Sequence, residues 1–277
     1  MSKKKRRIAE PAPFLTPLFD AHTHLASCGA REEPDVIALM DRAAAAGVIG
    51  VCTIGDGLPE TELAFTAAHM DPRVWAAVAI HPTKAQQLDD VAKQRLTEMA
   101  QDERVVAIGE TGLDWYWIDK MEDCASRDEQ FESLAWHMEL AKSVGKPLMI
   151  HNRDADEDLM EQLRGYDNTV ILHCFSSPID VAREALQRGY ILSFTGNVTF
   201  KRNDELRQAV AEAPVEQLLV ETDAPYMTAE PFRGARNESA FIGWQARAMA
   251  EVRDLPAEVM AKQLTDNATR VYGIELN

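Results

Sequence analysis

The sequence predicts a TIM barrel, the closed (β/α)8 form of the α/β class. Three observations point to it. Eight short β-branched or apolar runs recur along the chain, helix-spaced segments lie between them, and the polar residues able to do chemistry collect where those runs end. Strands are expected at residues 18–25, 48–54, 74–80, 105–109, 147–151, 169–174, 190–194 and 217–221, each bounded by turn-forming residues. Helical spacing is read at 34–46 (Val36, Ile37, Leu39, Met40) and at 127–144 (Phe131, Leu134, Ala135, Met138, Ala141), with shorter copies at 179–188 and 204–213. Residues 240–252 and 256–272 read as closing helices, the second with Pro256 in its first turn. A doubly wound open sheet is the competing architecture, but no glycine-rich phosphate loop follows any strand to support it.

No linker or shift in composition divides the chain, so residues 14–277 are expected to form one domain. Residues 1–13, basic at Lys3, Lys4, Lys5, Arg6 and Arg7 and then proline-rich, are expected to be a disordered tail; a nucleic-acid arm is the other reading. No apolar stretch follows these cations, as a secretory signal would require, and no run of about 18 apolar residues offers a membrane span. The four cysteines (Cys28, Cys52, Cys124, Cys174) lack CxxC spacing, which suits a reducing, cytoplasmic setting. No membrane and no obligate protein partner are expected. The net charge of −16 argues against a broad basic surface for nucleic acid. DNA or any other phosphate-bearing substrate would have to be gripped locally, at the barrel mouth.

In a barrel the strand ends share one rim, where such folds place catalysis. The first strand ends in Asp20-Ala-His-Thr-His24, the third runs into His81, and the fourth is followed by Glu110 and Asp114. His151 and Arg153 close the fifth, His173 the sixth, and Glu221-Thr-Asp223 the eighth. Five of the seven histidines fall there, and only His69 and His137 fall in helices. His22 and His24, two apart on a strand, project to one side, where paired imidazoles are costly to bury unless a cation joins them. The imidazole and carboxylate donors His22, His24, Glu110, His151, His173 and Asp223 include no thiolate. They suit zinc, manganese, iron or nickel, or magnesium completed by water. Six ligands exceed the needs of one tetrahedral ion, whereas two divalent ions sharing a bridging carboxylate would use them all. Such pairs, roughly 3.5–4 Å apart, activate water and stabilise both oxygens of a displacement, so hydrolysis of a phosphoester, amide or lactone is expected.

The motifs Asp20-Ala-His-Thr-His-Leu25, Ile80-His-Pro82, Ile108-Gly-Glu-Thr-Gly-Leu-Asp114, Ile150-His-Asn-Arg153, His173-Cys-Phe-Ser176 and Glu221-Thr-Asp-Ala-Pro-Tyr226 resemble, in order, the TatD family of metal-dependent deoxyribonucleases. The resemblance runs from about residue 18 to 273 and implies an amidohydrolase-type barrel. It implies that His22, His24, Glu110 and Asp223 hold one ion, and that Glu110 bridges to a second held by His151 and His173. It also implies that Asp223 orients or deprotonates the attacking water and that His81 contacts phosphate. Arg153 stands in the family's His-x-Arg pattern, as a substrate contact or as a structural ion pair behind the site. Arg236 and Asn237 resemble a segment that supplies substrate or rim contacts. The sequence departs from the family pattern at Ala26, Ala79, Ser177 and Ser239, which bears on loop shape and substrate preference and spares every ligand.

Other residues carry two readings each. Trp115, Tyr116 and Trp117 either stack on an unpaired base or cap the barrel mouth. Asp114 either orients a ligand histidine or caps its loop. Cys174 is expected to pack under a helix, and Lys201 and Arg202 to be an exposed loop pair. The leading functional expectation is a nuclease that trims single strands of DNA from the 3′ end by metal-activated water. The alternative is the same site acting on a small phosphoester, an aminoacyl-tRNA ester or a lactone, and a non-catalytic metal-binding module stands third.

Overall fold

The computed structural model describes residues 8–276. Eight parallel strands form one sheet in the order β1 to β8: Leu18–Thr23, Val48–Thr53, Val74–Val78, Val105–Asp114, Leu148–Arg153, Val170–Leu172, Ile191–Phe194 and Leu218–Val220. Nine α-helices accompany them among the described residues, besides short 3-10 turns: α1 Glu33–Ala45, α2 Leu58–Met70, α3 Asp90–Ala100, α4 Arg127–Val144, α5 Asp156–Gln162, α6 Ile179–Gln187, α7 Asp204–Glu212, α8 Gly243–Val252 and α9 Ala257–Tyr272. The expected (β/α)8 barrel is the fold observed. Its seam is closed at the end of β8: the Asp223 amide donates to the His22 carbonyl at 2.9 Å and the His24 amide to the Ala224 carbonyl at 2.8 Å. The buried Asp20 carboxylate takes the Thr222 amide at 2.8 Å and its hydroxyl at 2.6 Å.

Alternation along the strands divides the core in two. Phe19, Cys52, Trp75, Ala77, Met149, Ile171, Ile191 and Leu219 face the barrel interior, while Leu18, Val51, Val74, Ile108, Leu148, Val170, Leu192 and Val220 face the helices. Tyr272, at the end of α9, packs against Phe19 at 5.9 Å between centroids and donates to the Ala21 carbonyl at 2.7 Å, so an aromatic group seals the end opposite the histidines.

The strong helix signals lie where the spacing predicts them. Helix α4 starts in a reciprocal capping box between Ser126 and Glu129 and ends at Gly145, whose φ of 65° is left-handed. Helix α3 buries a stripe of Ala92, Leu96, Met99 and Ala100 that the spacing analysis passed over, whereas α2 and the short α5 carry no clear apolar stripe. The buried face of α2 is Thr61, Ala64, Ala67 and Ala68, small residues that give little contrast with the polar face. The last part of the expected tail also differs: residues 8–13 lie against α8, where the Trp244 indole donates to the Glu10 carbonyl at 2.9 Å. Its five cations lie outside the described residues.

One correction matters for function. Strand β4 does not stop at Gly109 but continues to Asp114, pairing Gly112 with His151 and Asp114 with Arg153. Two glycines make this close approach possible. A Cβ at Gly109 would stand 2.4 Å from the Met149 Cβ, and one at Gly112, where φ is +145°, only 2.0 Å from the His151 carbonyl oxygen. Gly112→Ala should therefore cost about 2 kcal/mol or more, measured as a lowered urea midpoint at unchanged m-value. A variant as stable as the wild type would contradict this packing.

Candidate metal centre

Glu110 stands between two groups of imidazoles, and its two oxygens face different ones. Oε1 lies 4.0 Å from His22 Nε2 and 3.7 Å from His24 Nε2; Oε2 lies 2.8 Å from His173 Nε2 and 3.5 Å from His151 Nδ1. Asp223 joins the first group, with Oδ1 3.7 Å from His22 Nε2 and 3.4 Å from His24 Nε2. The two imidazole nitrogens of that group are 3.2 Å apart. Donors spaced this way match the edges of a tetrahedron around an ion at about 2.1 Å, which are about 3.4 Å long. The residues present therefore fit a divalent cation, and the six expected ligands are brought together. Among the described residues, clusters able to hold an ion also take in His81 with Glu110 and His151.

The electrostatics have the same origin. Burial alone would raise the Glu110 carboxyl, but the charge of His173 and hydrogen bonds from His151 and His173 hold it well below the usual range. Burial works against protonation of His173 and His24 too, yet Glu110 and Glu221 raise the first well above the ordinary value, and Asp223 and Glu110 raise the second to about 9. His22 moves the other way, pushed well down by burial and by its neighbour His173, on which it stacks at 4.0 Å. Protons thus occupy imidazoles where a cation's charge would sit.

Carboxylates behind the ligands orient them. Asp114 Oδ2 accepts from His151 Nε2 at 2.9 Å while Oδ1 takes the Trp117 amide at 2.9 Å, so both readings of Asp114 hold at once. Glu221, given no role from sequence, lies 3.2 Å from His173 Nδ1 and also accepts the Cys174 amide at 2.7 Å and the Ser193 hydroxyl at 2.5 Å. The signal was present, since Glu221 is two residues before Asp223 at the end of a buried strand. Asp56, 3.6 Å from His24 Nδ1, is a second group passed over, in the loop after β2.

A cavity of about 590 Å³ opens onto this cluster, lined among others by His81, Lys84, Trp117, Arg153, Cys174 and Tyr226. Among the ligands His151 and Asp223 are the most open, with side chains 17% and 13% exposed. At His81, Nδ1 accepts the Thr83 amide at 3.2 Å, which leaves the other ring nitrogen as the N–H. Arg153 is at the rim with its guanidinium 3.7 Å over the Tyr116 ring. Among the described residues its guanidinium meets the rings of Tyr116 and Trp117 and no carboxylate, which does not match the structural ion pair considered from sequence.

Three expectations are corrected, and the open readings of the aromatics after β4 are divided between them. Asn237 is buried, and its amide donates to the carbonyls of Thr222 at 2.9 Å and Tyr226 at 2.7 Å. It braces the loop that carries Asp223, with no donor left for substrate. Arg236 binds the Ser27 carbonyl at 2.5 Å and does not line the cavity. Cys174 lines the cavity in place of packing under a helix, because φ of 44° there turns the chain. Of the three aromatics after β4, Trp115 is structural: its indole donates to Asp158 at 2.9 Å and its ring packs on Phe131.

Cation uptake should release protons and tighten as pH rises from about 6.5 to about 9, because raised imidazoles must first be deprotonated. Calorimetric titration in two buffers of different ionisation enthalpy measures this, and identical heats would contradict it. Glu221→Gln should weaken cation binding about 10- to 100-fold in chelator competition, since His173 loses its orienting anion. An unchanged affinity would remove that role.

The family described as TatD related DNase matches residues 19–273. A Mycobacterium tuberculosis protein named "Uncharacterized metal-dependent hydrolase TatD" is 50% identical over 259 residues, covering 93% of this chain and 98% of its own. An Enterobacter lignolyticus protein named "3'-5' ssDNA/RNA exonuclease TatD" is 30% identical, covering 94% of this chain and 100% of its own. Among solved structures, the Escherichia coli TatD homologue YJJV superposes with a TM-score of 0.84 at 27% identity, covering 93% of this chain and 98% of that one.

Proposed function

Since the chain belongs to the TatD related DNase family and is a metal-dependent hydrolase, we propose that its cavity hydrolyses phosphodiester bonds at the unpaired 3′ end of DNA, with two divalent ions (magnesium, manganese or zinc) shared through Glu110. The observation that carries the reading is the split of Glu110, one oxygen toward His22 and His24 and the other toward His151 and His173. Relatives about 30% identical that are named for exonuclease action on single-stranded DNA and RNA support the choice of substrate.

His22, His24, Glu110 and Asp223 would hold one ion, and Glu110, His151 and His173 the other. When bound, such a pair supplies Lewis-acid stabilisation of phosphoryl charge and makes water a better nucleophile. The chain's own groups do the rest. Asp223, partly open to the cavity, takes the proton of the attacking water on its carboxylate. His81 presents an N–H to a non-bridging phosphoryl oxygen, the tautomer set by the Thr83 amide. Arg153, which pairs with no carboxylate among the described residues, offers its guanidinium to a neighbouring phosphate at the rim. These local contacts act against the chain's overall charge of −16, which within the second reading (a small phosphoester, an aminoacyl-tRNA ester or a lactone) favours the small substrates, since tRNA is a polyanion as DNA is.

A metal-by-substrate panel separates the two. Wild-type protein should shorten single-stranded DNA from the 3′ end with at least one of magnesium, manganese or zinc. Glu110→Ala should lose nearly all turnover, and Asp223→Asn should fall about 100-fold or more while keeping measurable cation. If DNA and RNA survive under every cation while a small ester is cleaved, the second reading replaces the first.

A further inference from the structure

Resting on the nuclease reading, we infer that Trp117 and Tyr226 are two nucleobase platforms on opposite sides of the metal centre, which take an unpaired strand by the bases flanking the scissile phosphate. The strand order β1 to β8 around the barrel puts β4 and β8 half a turn apart. Trp117 follows β4, Tyr226 follows β8, and both line the same cavity. They therefore face the cluster from two sides.

Each ring is tied to the ligands. The Trp117 amide donates to Asp114 at 2.9 Å, the same carboxylate that holds His151. The Tyr226 amide donates to the Asp223 carbonyl at 2.8 Å, and its ring lies 6.0 Å from that of His24. A phosphate at the centre would thus carry its flanking bases toward rings fixed by the ligands themselves.

Neither ring is spent on the core. Tyr226 is 53% exposed, and Trp117, half-buried with its ring edge-on to Tyr116 at 5.0 Å between centroids, lines the cavity together with the exposed Met121. Trp115, by contrast, is consumed by packing against Phe131 and Arg127. Arg153 stands 5.5 Å from the Trp117 centroid, so a cation accompanies this platform where the next phosphate would pass. Stacking accepts any base but needs an open face, which a paired and stacked base does not present. The arrangement gives an acidic protein a grip on a polynucleotide end that does not depend on long-range attraction.

The test uses single-stranded oligonucleotides in which the base on one or the other side of the terminal scissile bond is replaced by an abasic sugar. With wild-type protein each replacement should raise KM about 10- to 100-fold. In Trp117→Ala the penalty at one position should fall to near unity, and in Tyr226→Ala the penalty at the other. Trp117→Phe and Tyr226→Phe should keep both. Alanine variants that retain both penalties, including variants slowed equally on every substrate by damage to the fold, would overturn the assignment. Wild-type cleavage that ignores the abasic changes would overturn the platforms alone, whereas failure to cut any single strand would overturn the nuclease reading with them.

Discussion

A carboxylate buried among imidazoles is the constraint on which the rest of this structure depends. Glu110 is almost wholly removed from water, and a charge in that position is costly without compensating partners. His22, His24, His151 and His173 supply those partners from three other strands. They must in turn be held in place, which Asp114 and Glu221 do from behind. The same arrangement that makes the carboxylate tolerable makes the imidazoles compete for protons or cations. Metal dependence is thus a consequence of how the barrel interior is charged.

Backbone geometry serves this cluster. Strand β4 runs past Gly109 and Gly112 so closely to β5 that no side chain fits, and this brings Glu110 and Asp114 against His151. At the seam, the segment 222–224 is stitched to β1 by amides as well as by Asp20, which fixes Asp223 relative to His22 and His24. Asn237 braces the same segment from the far side, so a residue expected at the substrate acts on the ligand through its loop. The basic and aromatic groups at the mouth are few, but they are concentrated around one cavity. On the proposed reading, local contacts there would have to offset a net charge of −16 that repels a polyanion at longer range.

Much of this was legible in sequence because it rests on spacing. His22 and His24 two apart at a strand end, and the recurrence of polar residues after apolar runs, need only the alternation of a strand and the shared rim of a barrel. Helices α2 and α5 were harder to read, since the buried face of the first is made of small residues and the second is only 7 residues long. The true end of β4 was hidden as well. Glycine usually ends a strand, and only its neighbour β5 shows that here it permits one to continue.

The sequence by itself predicted the barrel, the six candidate ligands that the fold brings together and the class of chemistry, because each follows from residue type and short-range periodicity. Tertiary structure decided which oxygen of Glu110 faces which imidazoles and that Glu221 orients His173. It also decided that Asn237 braces a loop, and that Trp115 packs while Trp117 lines the cavity. These outcomes depend on distances between residues far apart in the chain. No local pattern encodes them, since they are set only when the strands close into a ring.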